Sequence, residues 1–398
     1  MEVELLINLI DEHNEGSILA TKKFKPKEVL FLYEEKNKNI LEAIKEYYQE
    51  KFPLIEFNAI KINEGDVEKL EGIIKSNKEK KILVNLTGGS RVNSLILLNS
   101  CKNYRVKSIY MNIKDKSLYF IDENINIIKE EYDDLELSSL LRLSGKEILY
   151  DTSEFSNNDN LKYITKKIYK NLDVWHKYKQ RLYDTNVFIH KEEDNRRMII
   201  KTYLLEQDEK ELLDKVLTKL KEIKEINFCN INENEIEIRF RNNYLKPFIF
   251  KTGTWLEFAT KTIISEIEGI DEVKSGVVFL WNHFNSKIKN EVDVVLVKDS
   301  IVTCISCKDS EKYDENALNE LNVYALKVGG EDANKILVAT KEPSKNTVRE
   351  RAKEMNINLI IFDGDEEKFK NKIRKVLYRK IKRWLFSKNE NVYWYPLI

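Results

Sequence analysis

EVDVVLVKDSIVTCISCK, residues 291–308, reads as two short strands joined by a polar turn. Glu291 and Asp293 stand at its start and Lys308 at its end. In a regular antiparallel hairpin Asp293 opposes Ser306 and Glu291 opposes Lys308. The turn is then Asp299-Ser300, or four residues from Lys298 to Ile301. Side chains alternate along a strand, so Val292, Val294, Leu296, Ile305 and Cys307 form the core-facing side. The charges collect at the open end, on one face.

Two readings of that end are open. One is a surface hairpin closed by a Glu291–Lys308 or Asp293–Lys308 ion pair. The other is a site, because burying Asp293 and Lys308 is costly unless they pair or bind something. Asp293 suits a divalent cation: Mg²⁺ or Mn²⁺ takes oxygen ligands and keeps some waters. Lys308 would then orient or deprotonate an attacking water and offset charge on a phosphodiester. Glu257 is a further candidate, on the helix TWLEFATKTIISEI (254–267). Thr254, three residues earlier, gives it the spacing of a capping box.

Outward from the hairpin, a helix at 315–330 leads to the strand KILVAT (335–340), and another helix to INLIIF (357–362). This order predicts a mixed α/β/α unit over 248–398. Its basic tail, 368–386, is either a solvated helix or one that contacts phosphate.

The N-terminal third has a different rhythm. Strand patterns at 3–10, 28–33, 54–62, 81–87 and 106–113 alternate with helix patterns, and SLYFID (117–122) offers an edge strand. That alternation predicts a Rossmann-like, doubly wound parallel sheet over 1–145. LVNLTGGSRVNSLILL (83–98) runs from strand through a glycine pair into a helix. It is either an ordinary turn capped by Ser90 or a cradle for an anionic group at a helix N-terminus. It lacks the Gly-Lys-Ser/Thr ending of a Walker loop, and the first loop, IDEHNEGS (10–17), lacks the dinucleotide fingerprint. A ligand belongs beyond the carboxyl ends of the strands. There Asp11, Asn14, Gly16 and Ser17 would meet Asn85, Thr87, Gly88, Gly89, Ser90 and Arg91, in a pocket suited to a ribonucleotide.

Between these units, 146–247, residues 159–182 read as one amphipathic helix carrying Leu161, Ile164, Ile168, Leu172 and Trp175. It joins the domains or pairs with its copy in a dimer. A helix at 210–223 and the strands INFCNI and EIEIRF, around Asn232-Glu233-Asn234, fit a small winged-helix-like unit or a spacer.

Composition narrows the chemistry. The 398 residues carry 67 basic and 67 acidic side chains, so any basic binding surface is local. Cys101, Cys229, Cys304 and Cys307 form no disulfide framework. The last two, three apart on a strand, face opposite sides and read as core, with metal or redox chemistry second. His13, His176, His190 and His283 are scattered, and His283 sits in the loop WNHFN beside Trp281. No HExxH or GxSxG motif is present. The N-terminal apolar run is too short for a signal or membrane segment, so a cytoplasmic protein without a membrane partner is expected.

GTWLE…EVDVVLVKDSIVTCISCK resembles the PD-(D/E)XK, restriction-endonuclease-like core, and NLTGGSRVN in its Rossmann-like setting resembles the ligand loop of CARF domains. The pair, in this order, resembles the CARF–nuclease effectors of type III CRISPR systems. That resemblance implies a homodimer activated by a cyclic oligoadenylate, chiefly cyclic tetraadenylate, that cuts DNA and RNA with Mg²⁺ or Mn²⁺. It carries Asp293 over as the metal-binding Asp, Lys308 as the catalytic Lys and Glu257 as the helix acid. Ser306 stands where the superfamily has Glu or Asp, so Glu257 or Glu291 must compensate, with the backbone carbonyl of Cys307 as an extra oxygen. The alternatives are a ligand-sensing regulator without catalysis, with a DNA-reading unit at 190–243, and a domain that degrades its own activator.

Overall fold

The structure, a computed structural model, describes residues 1–122, 125–129, 133–191, 194–250, 253–281 and 289–378. His283 and the tail beyond residue 378 lie outside the described residues.

Strands β1 (Leu5–Leu9), β2 (Glu28–Tyr33), β3 (Glu56–Lys61), β4 (Ile82–Asn85), β5 (Lys107–Asn112), β6 (Ser117–Ile121) and β7 (Ile125–Lys129) form one sheet. Its order is β3-β2-β1-β4-β5-β6-β7, parallel as far as β5 and antiparallel beyond. Helices α1 (Glu15–Phe24), α2 (Lys38–Lys51), α3 (Val67–Asn77) and α4 (Arg91–Tyr104) make the crossovers. The central strand LLINL is buried on both faces, as a sheet covered on two sides requires. One face packs Leu6, Phe31 and Leu83 beneath α1 and α2; the other packs Leu5, Ile7 and Val84 beneath α3 and α4. The Rossmann-like reading of this third therefore holds.

Past α5 (Leu137–Arg142) the chain enters the second sheet through β8 (Glu147–Tyr150). The expected single helix at 159–182 is two helices, α6 (Asp159–Tyr169) and α7 (Leu172–Leu182). Lys170 and Asn171 break it where Gly364 packs on the Tyr169 carbonyl; a side chain at Gly364 would collide with that oxygen. Lys170 Nζ also donates to the Gly364 carbonyl, at 3.1 Å. Side-chain periodicity continues across the break, so the sequence pattern hides it.

Next come β9 (Phe188–His190), β10 (Arg197–Lys201), α8 (Gln207–Glu222), β11 (Ile226–Asn232) and β12 (Glu235–Phe240). They form a four-stranded antiparallel sheet, order β11-β12-β10-β9, with one helix. This is larger than the helix and hairpin expected, and it is no free-standing module. Leu217, Leu220, Ile236 and Ile238 share one core with Trp255, Leu256 and Ile305.

After α9 (Leu245–Phe250) and α10 (Thr254–Ser265) come β13 (Glu272–Leu280), β14 (Lys289–Lys298), β15 (Ile301–Lys308), α11 (Glu315–Gly329), β16 (Asn334–Ala339), α12 (Asn346–Glu354), β17 (Ile357–Ile361) and α13 (Glu366–Leu377). The sheet order is β17-β16-β15-β14-β13-β8, with β15, β16 and β17 parallel and the remaining pairs antiparallel. Cys304 belongs to the core on the α11 side and Cys307 to that on the α10 side, as their spacing requires. The described part of the basic tail, α13, buries Phe369 and Ile373 against that second core.

Candidate functional site

The hairpin has the expected register. Val294 pairs with Ile305 and Lys298 with Ile301, leaving a two-residue turn. Asp299 and Ser300 hold φ of 54° and 62°, both left-handed, as a type I′ turn demands. Their side chains explain why neither is glycine. Ser300 Oγ accepts the Leu135 N–H at 2.9 Å, and Asp299 pairs with Lys116 of the first sheet at 2.5 Å.

At the other end the expected 293/306 and 291/308 pairs do not form, because the ladder stops at Val294–Ile305. β14 follows β13, with Val292 opposite Val277, while β15 follows β16, with Lys308 opposite Ala339. The strands fork, and Asp293 sits in the fork. Its Oδ2 accepts the Cys307 N–H at 2.7 Å and the Ser306 hydroxyl at 3.2 Å. Burial pushes its carboxyl upward, against the pull of the Lys308 charge and these two hydrogen bonds. Among the described residues Lys308 and Glu291 make no ion pair within 4.0 Å, so the closing salt bridge of the simpler reading is absent.

Glu257 projects from the first turn of α10. The expected capping box does not form: Gly253, at φ 89°, is the N-cap, and Thr254 is the first helical residue with its hydroxyl buried and unpartnered. Glu257 thus lies near the positive end of a helix, which favours an ionised carboxylate. Burial first, then the Asp293 and Glu257 charges, push the Cys307 thiol far up, while Lys308 draws it down. The charges of Asp293, Glu257 and Lys308 are thus all felt at the Cys307 thiol. Glu291 is exposed at the rim.

Among the described residues no three His, Cys, Asp or Glu side chains form a ready metal cluster. The Asp293 carboxylate and the Ser306 hydroxyl meet at the fork, where the Cys307 thiol is buried; Glu257 and the Cys307 backbone carbonyl are the further oxygens the sequence offered. That all-oxygen set fits a hard cation that retains waters, and not a thiolate metal.

The sequence did not single out Asp309, the next residue. It is 5% exposed. Its Oδ2 accepts the indole N–H groups of Trp175, at 2.7 Å, and Trp255, at 2.9 Å. Its Oδ1 accepts the Thr340 hydroxyl at 2.8 Å and lies 3.1 Å from Lys179 Nζ. Those partners hold its carboxyl below the usual range despite burial. Asp309 thus ties α7, α10 and β16 to the end of β15, fixing the backbone on which Glu257 and Lys308 stand. No local motif signals this, because its partners come from three separate segments.

In the first sheet, the loops after β1 and β4 do meet. Gly89 N–H donates to Asp11 Oδ2 at 2.9 Å, and the His13 N–H donates to Oδ1 at 2.8 Å. A Cβ at Gly88 would lie 2.7 Å from the Leu9 carbonyl, one at Gly89 2.5 Å from Leu9 Cβ, and one at Gly16 2.7 Å from Thr87 Cγ2. Glycine at these places lets the loops close on each other. Ser90 caps α4 through Asn93 N–H, at 3.2 Å, and Arg91 is exposed beside it. Asn14, Ser17 and Asn85 are buried behind the loops. Asn14 Nδ2 donates to the Leu143 carbonyl at 3.0 Å, while Asn85 Oδ1 accepts the Thr87 N–H at 3.1 Å and its hydroxyl at 2.6 Å. Asp11, Gly89 and Ser90 line a cavity of about 470 Å³. Its other walls, unforeseen from the sequence, include Lys36, Lys146, Trp281 and Lys327.

The comparisons with known proteins address both ends of the molecule. Residues 6–139 match the Card1 CARF domain, and residues 246–382 match the Card1-like endonuclease domain. No curated protein matches this sequence. Among solved structures, Can2 from Sulfobacillus thermosulfidooxidans, in complex with cyclic tetra-adenylate, is similar at 15% identity and a TM-score of 0.69, covering 94% of this chain and 99% of that one. Protein VC1899 from Vibrio cholerae gives 16% identity and a TM-score of 0.72, over 98% of this chain and 99% of its own. A type III CRISPR defence DNA nuclease activated by cyclic oligoadenylate gives 14% and 0.56, covering 96% of this chain but 52% of that one. At these identities the likeness speaks for the fold. No helix among the described residues is long and apolar enough to cross a membrane. The chain therefore joins a Card1-type CARF domain to a Card1-like endonuclease domain.

Proposed function

We propose that the protein is a metal-dependent nuclease of antiviral CRISPR defence, acting in the cytoplasm as a homodimer and switched on by a cyclic oligoadenylate, cyclic tetraadenylate first, bound at the N-terminal loops. The observation that carries the reading is the strand fork. It holds Asp293 and an ammonium, Lys308, that no carboxylate among the described residues neutralises within 4.0 Å. A hairpin that needed only stability would close that pair.

Asp293 and Glu257 would hold Mg²⁺ or Mn²⁺, with the Cys307 carbonyl and Ser306 hydroxyl as neutral oxygens. The ion, when bound, supplies Lewis-acid polarisation of the scissile phosphate and a more acidic water. Lys308 donates to a phosphate oxygen or to the attacking water, so the charge developing on the phosphodiester meets a cation already in place. The Cys307 N–H and Ser306 hydroxyl both hold Asp293 Oδ2, so Oδ1 is the oxygen that would be left to hold the cation. By linkage, the activator can switch cutting on only by binding the active arrangement more tightly than the idle one.

The test is plasmid and single-stranded RNA cleavage with Mn²⁺, with and without rings of three, four and six adenylates. Activator-dependent nicking, lost in Asp293→Asn and in Lys308→Ala while activator binding persists, is the expected result. Retained cleavage in either variant removes the site. One observation favours a second reading: Ser306 in place of an acid leaves the fork with few carboxylates, which suits a sensor without catalysis. A nucleic-acid band shift without strand scission would decide for that reading.

A further inference from the structure

The 470 Å³ cavity is walled on one side by the loops of the first sheet and on the other by residues outside it. Lys146 follows α5 and immediately precedes β8, an edge strand of the endonuclease sheet. Trp281 directly follows β13, and Lys327 lies on α11. Two of these groups lack something. Lys146 is 5% exposed, and its Nζ reaches only the Ser144 carbonyl, at 3.4 Å. Among the described residues it has no carboxylate within 4.0 Å. The Trp281 indole N–H is buried and has no acceptor. Of the other charges on the cavity walls, Lys327 meets Glu12 at 3.2 Å and Lys36 meets Glu34 at 2.9 Å, while the Asp11 carboxylate accepts the His13 and Gly89 N–H groups. A buried cation without a counter-ion, beside a buried donor without an acceptor, is unfavourable in the free protein. Both deficits are removed by one kind of occupant, an anion rich in acceptor oxygens.

We infer that Lys146 is the counter-ion for a phosphate of the activating nucleotide, so that the ligand seated on the CARF loops bears directly on the endonuclease sheet. The inference rests on the activator reading above and goes further, naming the contact through which binding reaches the second domain. Lys146 pulled toward a phosphate displaces the start of β8, and β8 is hydrogen-bonded to β13, with Tyr150 opposite Val278. β13 in turn carries β14 and Asp293. On the same wall Trp281 packs edge-on against Tyr324 of α11, with ring centroids 6.1 Å apart. The Tyr324 hydroxyl donates to Glu320 Oε1 at 3.1 Å, and burial, that hydrogen bond and the Glu320 charge raise its pKa, with a smaller push from the Asp293 charge.

Calorimetric titration of the full-length protein with cyclic tetraadenylate tests this. Lys146→Met keeps the apolar stem and removes the charge; Lys146→Arg restores a cation. Loss of a buried charge-assisted contact predicts binding weaker by about tenfold or more for Lys146→Met, and within a few-fold of wild type for Lys146→Arg. The activator concentration for half-maximal nicking should rise in parallel. Lys146→Met that melts cooperatively and binds within about twofold of wild type overturns the inference while leaving the activator reading standing. Wild-type protein that binds none of the three rings overturns both.

Discussion

Removing the Lys146 ammonium should stabilise the unliganded protein. Burial brings its pKa down from 10.5 to about 8, with Glu12 and Glu15 pulling it up and Lys327 pressing it further down. His13, whose own pKa falls to about 4, adds no charge near neutrality. At 1.36 kcal/mol per unit, that fall means about 3 kcal/mol against folding while the group is protonated in both states. Lys146→Met loses the long contact to Ser144 and the attraction of Glu12, so a net gain of roughly 1–2 kcal/mol is expected at pH 7. In a protein of this size that is a rise of only about 1–2 °C in Tm, so denaturant melts are the sharper readout. The sign with pH follows from linkage. Below pH 8 the penalty is full. Between about 8 and 10.5 the folded lysine has lost its proton while the unfolded one keeps it, so wild-type stability rises relative to the variant. Denaturant melts of both proteins at pH 7, 8.5 and 10, without nucleotide, give the comparison. A variant less stable than wild type at pH 7, or a gap that does not narrow toward pH 10, would refute the reasoning.

Other outcomes follow from the same contacts. Ser306→Glu restores a carboxylate to the fork and should lower the Mn²⁺ concentration for half-maximal cleavage by about tenfold, read from a metal titration; an unchanged requirement would mean that position 306 faces no cation. Asp309→Ala strands two indole N–H donors, the Thr340 hydroxyl and Lys179, and should cost roughly 3 kcal/mol in chemical denaturation. Because the Asp309 pKa is depressed, its contribution is full above the unfolded value of 3.8 and lost as pH falls below it, so wild type and variant should converge in acid melts. Gly89→Ala places a Cβ 2.5 Å from Leu9 Cβ at a φ of +81°; a loss of about 1–3 kcal/mol in stability and a weaker grip on cyclic tetraadenylate are expected.

The sheet of the first third was legible because its central strands, β1, β2 and β4, are buried apolar runs and the crossovers have helical period. The hairpin register was legible from alternation alone, while the choice between a two- and a four-residue turn needed the Lys298–Ile301 pair. The fork was not, since it arises from β14 and β15 following different outer neighbours, which no local pattern records. β9 and β10 escaped notice because FIH and RMIIK are short and charged. Glu257 was a candidate from its helix, and the resemblance gave it the part of helix acid, although its N-cap is Gly253 rather than the capping box its spacing suggested. Lys146, Trp281 and Asp309 stayed hidden for one reason: each is defined by partners far along the chain, and their chemistry exists only once those segments meet.

The turn at Asp299-Ser300 has a consequence for how a signal could travel. That tip is latched to the sensor through Lys116 and the Leu135 amide, and the opposite tip of the same two strands is the fork. Seven or eight residues of extended chain make a stiff rod of roughly 25 Å, so a tug at one tip arrives at the other with little slack. Unlatching it with Ser300→Gly, which eases the left-handed backbone but deletes the Leu135 acceptor, should therefore separate messenger binding from cutting: occupancy unchanged, response blunted.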